Sequence, residues 1–423
     1  MKVVTVHRGA RDNYQIARAL SEAGMLETLV TDMYWPADQL WAQTVERMTP
    51  SHISSALRCR YAESVPSKSV VSCWKSGLYS MALSKSPGVR FGGQRDAVRQ
   101  CDFNLGRRAG EIATSRRAAL LSYSYYGHSA FSYYSGDQPR ILFQLHPHPA
   151  KVREILLQER TLHAECASSL DKEWELALPE EDFNRLTQEC GMAEHWLTAS
   201  SFCKQTLVES GTAACKIHVI PYGTDLQRFA WKKQNRSTRR RLQLLFVGTL
   251  SQRKGIKYLL DAINEFPASS VELTVCGRPV DNMDLFRKSR IPIRLLPSVS
   301  AQGLLDAYQA ADLFVFPSLA EGFGHVLLEA MASGLPVIST TSTAAPDLIR
   351  DGEEGFVTEP GSVLQLTNSI EYFLRRPEQI QTMGAAARRR AEHFTWERFR
   401  KRLTEVVAGI LQPSETVTDV DHV

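Results

Sequence analysis

The chain has 423 residues, 43% of them hydrophobic and 23% charged, the balance of an ordinary soluble globular protein with room for two or three domains. With 50 Lys and Arg against 46 Asp and Glu, the net charge of +4 is less than a dedicated nucleic-acid binder usually carries. The eight cysteines are scattered without a C-x-x-C pair, which fits reduced, packed thiols, and no apolar run approaches the roughly 18 residues of a membrane-spanning helix.

In chain order, short β-branched runs alternate with amphipathic stretches, the rhythm of a parallel sheet with crossover helices. "KVVTV" predicts a first strand; it lacks the h-region of a signal peptide, so the expected location is the cytoplasm. "DNYQIARALSEAG" predicts a helix, with Ile16, Ala19 and Leu20 at helical spacing, and "LETLVTD" a second strand. Residues 34–118 show no clear period and are expected to be helices and loops inserted in the first domain. Within them, residues 85–117 carry eight Lys or Arg against three Asp or Glu. That excess suits a solvated helical face, or a basic surface that meets an acidic lipid headgroup or a diphosphate-linked acceptor. The aromatic run "SYSYYGHSAFSYY" reads as strand and core packing ahead of a sugar-stacking platform. "RILFQLHPHP" predicts a strand over 141–145 with His146 at its carboxyl end. On the residues alone, His146 and His148 also fit a hydrogen-bonded loop pair; a metal site lacks a third ligand of suitable spacing.

The alternation restarts with "LQLLFVGTL", "GIKYLLDAINEF" and "VELTVCG", then "QGLLDAYQAA", "DLFVFPS" and "PVIST", which predicts a second doubly wound domain. The boundary is expected after "IHVIPYGTDLQRF", where "WKKQNRSTRRR" reads as a solvated linker; the end, "DVDHV", is expected to fray. In "AEGFGHVLLEAMASG" the carboxylate of Glu329 sits among Val326, Leu327, Leu328, Ala330 and Met331. A carboxylate taken out of water costs several kcal/mol unless it is satisfied, so Glu329 either reaches solvent or a local Arg, or accepts hydrogen bonds from a ligand's vicinal hydroxyls. Three neighbours favour the ligand. Gly322 and Gly324 permit close backbone approach, the next helix start suits an anion, and the loop follows a parallel strand end. Arg253-Lys254-Gly255, past another strand end, offers two cations for a diphosphate.

With these residues in view, "FVFPSLAEGFGHVLLEAMASGLPVIST" is similar to the signature of the family-4 retaining glycosyltransferases (glycosyl transferases group 1), two glutamates separated by seven residues included. "VIPYGTDLQRF", "LLFVGTLSQRKGIKYLLDA", "PDLIRDGEEGFV" and "FTWERF" follow in family order, so the resemblance covers roughly residues 195–412 and fades over 1–150. It implies the GT-B fold, an α/β architecture of two facing Rossmann-like doubly wound domains. The expected divisions are an acceptor-binding domain over 1–218, a nucleotide-sugar-binding domain over 219–395, a C-terminal helix over 396–412 crossing back onto the first, and a frayed tail over 413–423.

The resemblance also implies roles. Glu329 would hold ribose hydroxyls, Glu321 would lie beside the transferred sugar, and the backbone N–H groups at Phe323 and Gly324, after Gly322, would face sugar and phosphates. Lys254 with Arg253 would stabilise the departing diphosphate, Gly277 and Arg278 would sit near the base, His146 would be the catalytic histidine, and Gly9 would face the cleft. Three departures stand out. Thr249 replaces an arginine common in the family, Ala344-Ala345 and Asp347 replace its Gly and Glu, and Gly9 is followed by Ala10 and Arg11 in place of a second glycine.

The function so implied is that of a hexosyltransferase-type enzyme. It would move a sugar, with retention, from a nucleotide diphosphate sugar to a hydroxyl of a glycan, polysaccharide intermediate or lipid-linked sugar. No metal or cofactor is required beyond the donor, and no nucleic acid is expected as a partner. Peripheral contact with the inner membrane face would run through 85–117. Alternatives are a non-catalytic nucleotide-sugar-binding paralogue, favoured by Thr249, and an epimerase or phosphorylase on the same fold, opposed by the glutamate pair with "RKG". An NAD-dependent oxidoreductase would need a G-x-G-x-x-G that "VHRGARDN" does not supply.

Overall fold

The computed structural model describes residues 1–75, 77, 91–231, 241–280 and 284–412, with only the backbone over 91–96. Most of the expected linker, the tail from 413 and part of the basic stretch 85–117 lie outside the described residues. The chain divides into two compact units.

The first unit takes Met1–Phe143, Gln188–Leu197 and the chain from Arg400. Its strands are β1 (Val3–Val6), β2 (Leu26–Thr31), β3 (Val70–Ser72), β4 (Ala119–Tyr123), β5 (Arg140–Gln144) and β6 (His195–Thr198). Within this unit the sheet order runs β3-β2-β1-β4-β5-β6. The β1–β2, β2–β3, β1–β4 and β4–β5 pairs are parallel. β1 and β4 are buried along their whole length, as expected of strands covered on both faces. The helix Gln15–Glu22 buries Ile16, Ala19 and Leu20 on one face, the spacing read from the sequence. β3 arises in a stretch without a visible period because three residues are too few to display alternation. Tyr123 and Tyr126 of the aromatic run are core residues, while Tyr133 is exposed.

The second unit takes Gln144–Thr187 and Thr198–Phe399. The short strand β7 (Ile217–Val219) precedes β8 (Leu242–Val247), β9 (Val271–Cys276), β10 (Ile293–Leu296), β11 (Leu313–Phe316), β12 (Val337–Thr340) and β13 (Gly355–Thr358). The last six form a sheet in the order β10-β9-β8-β11-β12-β13, parallel at every pairing. Strand order reverses between β8 and β11, and loops leaving the carboxyl ends at such a reversal open a crevice where α/β folds take ligands.

Packing divides the chain differently from its order, which suggested a break at 218. Gln144–Thr187 belongs with the second unit because Val152, Leu156, Cys166 and Leu170 close one apolar cluster with Ala320. The helix Trp396–Leu411 is shared: Trp396 packs edge-on and Phe399 tilted against Tyr222 in the second unit. From Arg400 it belongs to the first, where Arg400 pairs with Glu22 at 2.8 Å and Gln15 at 2.9 Å. Among the described residues, no helix is long and apolar enough to cross a membrane.

Candidate functional site

The site is built by the loops that follow β8 and β11 in the second unit. After β8 the chain turns through Gln252–Lys254 into the helix Ile256–Asn264. Gly255 makes the turn with φ +73°, and a Cβ there would lie 1.9 Å from the Pro317 carbonyl oxygen. Only glycine lets the two loops approach this closely. They are then stitched: Leu319 N–H and the Ser318 hydroxyl both donate to the Arg253 carbonyl, at 2.8 and 3.1 Å.

This approach brings Lys254, Arg253 and Glu321 together. The Lys254 ammonium contacts the Glu321 carboxylate and lies 5.2 Å from the Phe316 ring centroid. Arg253 lies 3.5 Å from Glu321, donates to Glu173 at 2.8 Å and to the Ala320 carbonyl at 2.8 Å. Burial, reinforced by the Arg253 charge, pushes the Lys254 ammonium well below the usual lysine range, with Glu173 and Glu175 opposing. Burial pushes Glu175 up, against the pull of Arg253. A two-cation, three-carboxylate knot is therefore held in little water, its charges set by one another.

The β11 loop continues through Gly322, where a Cβ would meet the Leu145 carbonyl oxygen at 2.0 Å and the His146 Cα at 3.2 Å. His146, half-buried at the end of β5, thus lies against the backbone beside Glu321. His148 is buried at the start of the helix Pro149–Leu162; its backbone N–H donates to the Thr206 hydroxyl at 2.9 Å, and burial lowers its imidazole pKa. The Ser200 hydroxyl donates to the Gly322 carbonyl at 2.5 Å, fixing the loop from the other side. Phe323 is buried edge-on to Tyr222, and Gly324, φ +82°, opens the helix His325–Ala332.

Glu329 is half-buried on that helix. The Tyr308 hydroxyl donates to it at 2.9 Å, a partner that spacing did not suggest. Burial raises the Glu329 carboxyl pKa, opposed by Tyr308 and then Arg228. Gly277, after β9, has no room for a Cβ, which would fall 1.7 Å from the Gly248 carbonyl oxygen. Arg278 is exposed beside it, its carbonyl accepting from Leu250 N–H at 2.9 Å. Gly9 belongs to the first unit, where its N–H donates to Asp32 at 2.8 Å and Arg60 holds the same carboxylate at 3.1 Å. Asp347 accepts from Ser201 N–H at 2.8 Å, so this departure from the family pattern ties two segments of the second unit together. Thr249 is exposed.

Sequence reasoning missed the support behind the knot. Glu159 is buried and accepts from Gln252 Nε2 at 2.7 Å and from the Tyr258 hydroxyl at 2.8 Å. Gln252 in turn accepts from Lys257 N–H at 3.0 Å at the start of the Ile256–Asn264 helix, and its own N–H donates to Ser169 at 2.9 Å. No local signal marks Glu159 or Glu173, because their partners lie 93 and 80 residues away. Among the described residues, no group of three or more His, Cys, Asp or Glu is placed to hold a metal ion.

Against this geometry, residues 227–390 match the family described as glycosyl transferases group 1. The sulfoquinovosyl transferase SQD2 of Arabidopsis thaliana is 28% identical over 217 residues, 48% of this chain and 42% of that protein. A D-inositol 3-phosphate glycosyltransferase of Corynebacterium diphtheriae is 33% identical over 176 residues, 38% of this chain and 41% of that protein. The chain thus spans less than half the length of these curated relatives. Among solved structures, sucrose-phosphate synthase from Thermosynechococcus elongatus superposes with a TM-score of 0.63 at 17% identity, covering 97% of this chain and 99% of its own. Anabaena HepE in complex with UDP-glucose gives 0.56 at 15% identity, over 97% of this chain and 100% of its own. Likeness at such identity is one of fold, two Rossmann-like parallel-sheet domains of the GT-B type. Over residues 227–390, the chain is similar to the glycosyl transferases group 1 family.

Proposed function

We propose that the chain is a retaining glycosyltransferase that moves a sugar from a nucleotide diphosphate sugar to a hydroxyl acceptor. The observation that carries this reading is the contact of Lys254 with Glu321 between the loops after β8 and β11, inside the matched segment. In the reaction the bond from the anomeric carbon to the diphosphate oxygen breaks, and the electron pair leaves with the phosphate. The acceptor oxygen bonds to the same carbon on the same face, and its proton passes to the departing phosphate oxygen. The donor is assigned to the second unit, through residues 219–395 with support from Gln144–Thr187, and the acceptor to the first unit.

In the ligand-free chain Lys254 is held by Glu321. The negative charge of an arriving diphosphate competes with Glu321 for the Lys254 ammonium and favours the charged form that burial disfavours. Glu321 is then released to accept from hydroxyls of the sugar, with Arg253 keeping the loop in place through Glu173 and the Ala320 carbonyl. Positive charge fixed before the reaction, and not assembled during it, is what lowers such a barrier. Lys254, Arg253 and the helix start at Gly324 supply it, so the step calls for no resident metal or cofactor. Glu329, oriented by Tyr308, would receive the ribose hydroxyls, and His146, whose backbone lies against Gly322, would be the catalytic histidine. HepE, seen with UDP-glucose, makes uridine diphosphate sugars the first donors to test, and the inositol 3-phosphate in a relative's name makes a phosphorylated polyol a first acceptor.

A second reading is a nucleotide-sugar binder without turnover. Thr249 is exposed where the family commonly has arginine, and Arg253, the candidate replacement, is already engaged by Glu173. The deciding experiment is release of nucleoside diphosphate from the donor with and without acceptor. The enzyme reading expects acceptor-dependent release, lowered about 10²–10³-fold in Lys254→Ala. Donor binding with no release in the presence of any hydroxyl acceptor would assign the chain to the binders.

A further inference from the structure

Where β2 and β3 end in the first unit, the loops that follow frame a cavity of about 270 Å³. Tyr34, Trp41 and Trp74 supply its aromatic wall, and Gln39, Ser67 and Ser72 its polar groups. The Tyr34 hydroxyl is already engaged: it donates to the Val65 carbonyl at 2.7 Å and accepts from Ala62 N–H at 3.2 Å. Trp41 stands on the helix Leu40–Met48, which turns Ala42 and Glu46 inward and leaves the indole 52% exposed. Exposed as it is, that indole is fixed. Its N–H donates to Gln39, and its ring meets Trp35 edge-on at 5.6 Å. Trp35 in turn donates to the buried Glu46 at 2.7 Å. An aromatic side chain held half in water is a platform that a ligand need not order, which removes part of the cost of binding.

The lining selects the class of ligand. None of the residues that line the cavity is charged. A phosphate or carboxylate calls for Arg, Lys or a free helix start. Here the place of an anion is taken: Asp38, just ahead of the Leu40–Met48 helix, accepts from the Ser67 N–H at 3.1 Å and from the Ser67 hydroxyl. A wholly apolar ligand would strip water from Gln39, Ser67 and Ser72 and return no hydrogen bond. A neutral pyranose satisfies both halves. Its C–H faces suit the indole rings, and its hydroxyls suit the exposed Gln39 amide nitrogen and the Asp38 carboxylate. The volume falls just under the roughly 300–1,000 Å³ of ordinary small-molecule sites, room for one sugar ring and too little for a nucleotide.

We propose that this cavity binds one neutral sugar unit of a glycan, stacked on Trp41. The site itself is independent of the donor-site reading. Only its consequence rests on the glycosyltransferase reading: the acceptor is then a glycan gripped through a sugar unit in the first unit of the chain.

The test is saturation-transfer difference NMR of the full chain, without donor, against the methyl glycosides of glucose, mannose, galactose and N-acetylglucosamine. Wild type is expected to saturate the ring C–H protons of at least one of the four. Trp41→Ala is expected to lower that signal at least about fivefold and Gln39→Ala at least about twofold. Both side chains are exposed, so the thermal midpoints should stay near wild type. Glu321→Gln is expected to leave the signal unchanged, which separates this site from the donor site. No saturation of any of the four glycosides, an undiminished signal in Trp41→Ala, or a signal lost in Glu321→Gln overturns the proposal. Absence of nucleoside diphosphate release, by contrast, is a failure of the glycosyltransferase reading alone.

Discussion

At the scale of single residues, the buried ionisable groups of the site are each answered by another group. Lys254 is answered by Glu321, Arg253 by Glu173 and Glu329 by Tyr308. Glu189 is answered by backbone alone: Tyr125 and His128 N–H groups donate to it at 2.8 and 3.2 Å. Those bonds favour the charged form, yet burial prevails and pushes the carboxyl up to about 8. The sign follows by linkage. The unfolded chain releases this proton near 4.5 and the folded chain only near 8, so stability falls as pH rises through that window and is flat above it. Glu189→Gln is expected to remove the slope. In urea denaturation the wild type should lose on the order of 2–4 kcal/mol more than the variant between about pH 5 and about pH 8. Parallel pH profiles would show that Glu189 does not titrate there.

At the scale of elements, two loops become one site because glycine stands where they cross. Gly255→Ala combines a left-handed backbone of +73° with a Cβ 1.9 Å from the Pro317 carbonyl, and Pro317 cannot retreat without dragging the Arg253–Leu319 hydrogen bond. The expected cost is roughly 3 kcal/mol, with loss of any donor binding. Gly24 is the control: φ is +65° but nothing lies within 4 Å of its Cβ, so Gly24→Ala should cost only about 1 kcal/mol of backbone strain. Equal denaturation midpoints for the two variants would mean that the crossing is looser than described. The elements themselves were legible where pattern was long enough. β1 and β11 stand out as β-branched or aromatic runs, β8 as a leucine-rich apolar run, and Gln15–Glu22 as a helical face. β3 was not legible at three residues, and the outward polarity of Leu40–Met48 was not, since nothing local says that Glu46 is the buried residue.

At the scale of the whole molecule, the sequence told most where it resembled a family and least where partners are far apart along the chain. Lys254 and Glu321 are 67 residues apart (321 − 254) and were linked through motif order alone, whereas Glu159 and Glu173 carry no motif and were missed. The assignment of Gln144–Thr187 to the second unit was equally hidden, because its apolar cluster closes only when Ala320 arrives. The central claim is that Lys254, Glu321 and Glu329 serve one nucleotide diphosphate sugar. The most direct measurement is the melting temperature of the full chain against uridine, guanosine and adenosine diphosphate sugars. Binding to the folded state alone must raise it, by about 2.7 kcal/mol of stability at a hundredfold excess over Kd. The account predicts a saturable rise for at least one of them, strongly reduced in Glu329→Ala and in Lys254→Ala. No rise with any donor, or an undiminished rise in Glu329→Ala, would contradict it.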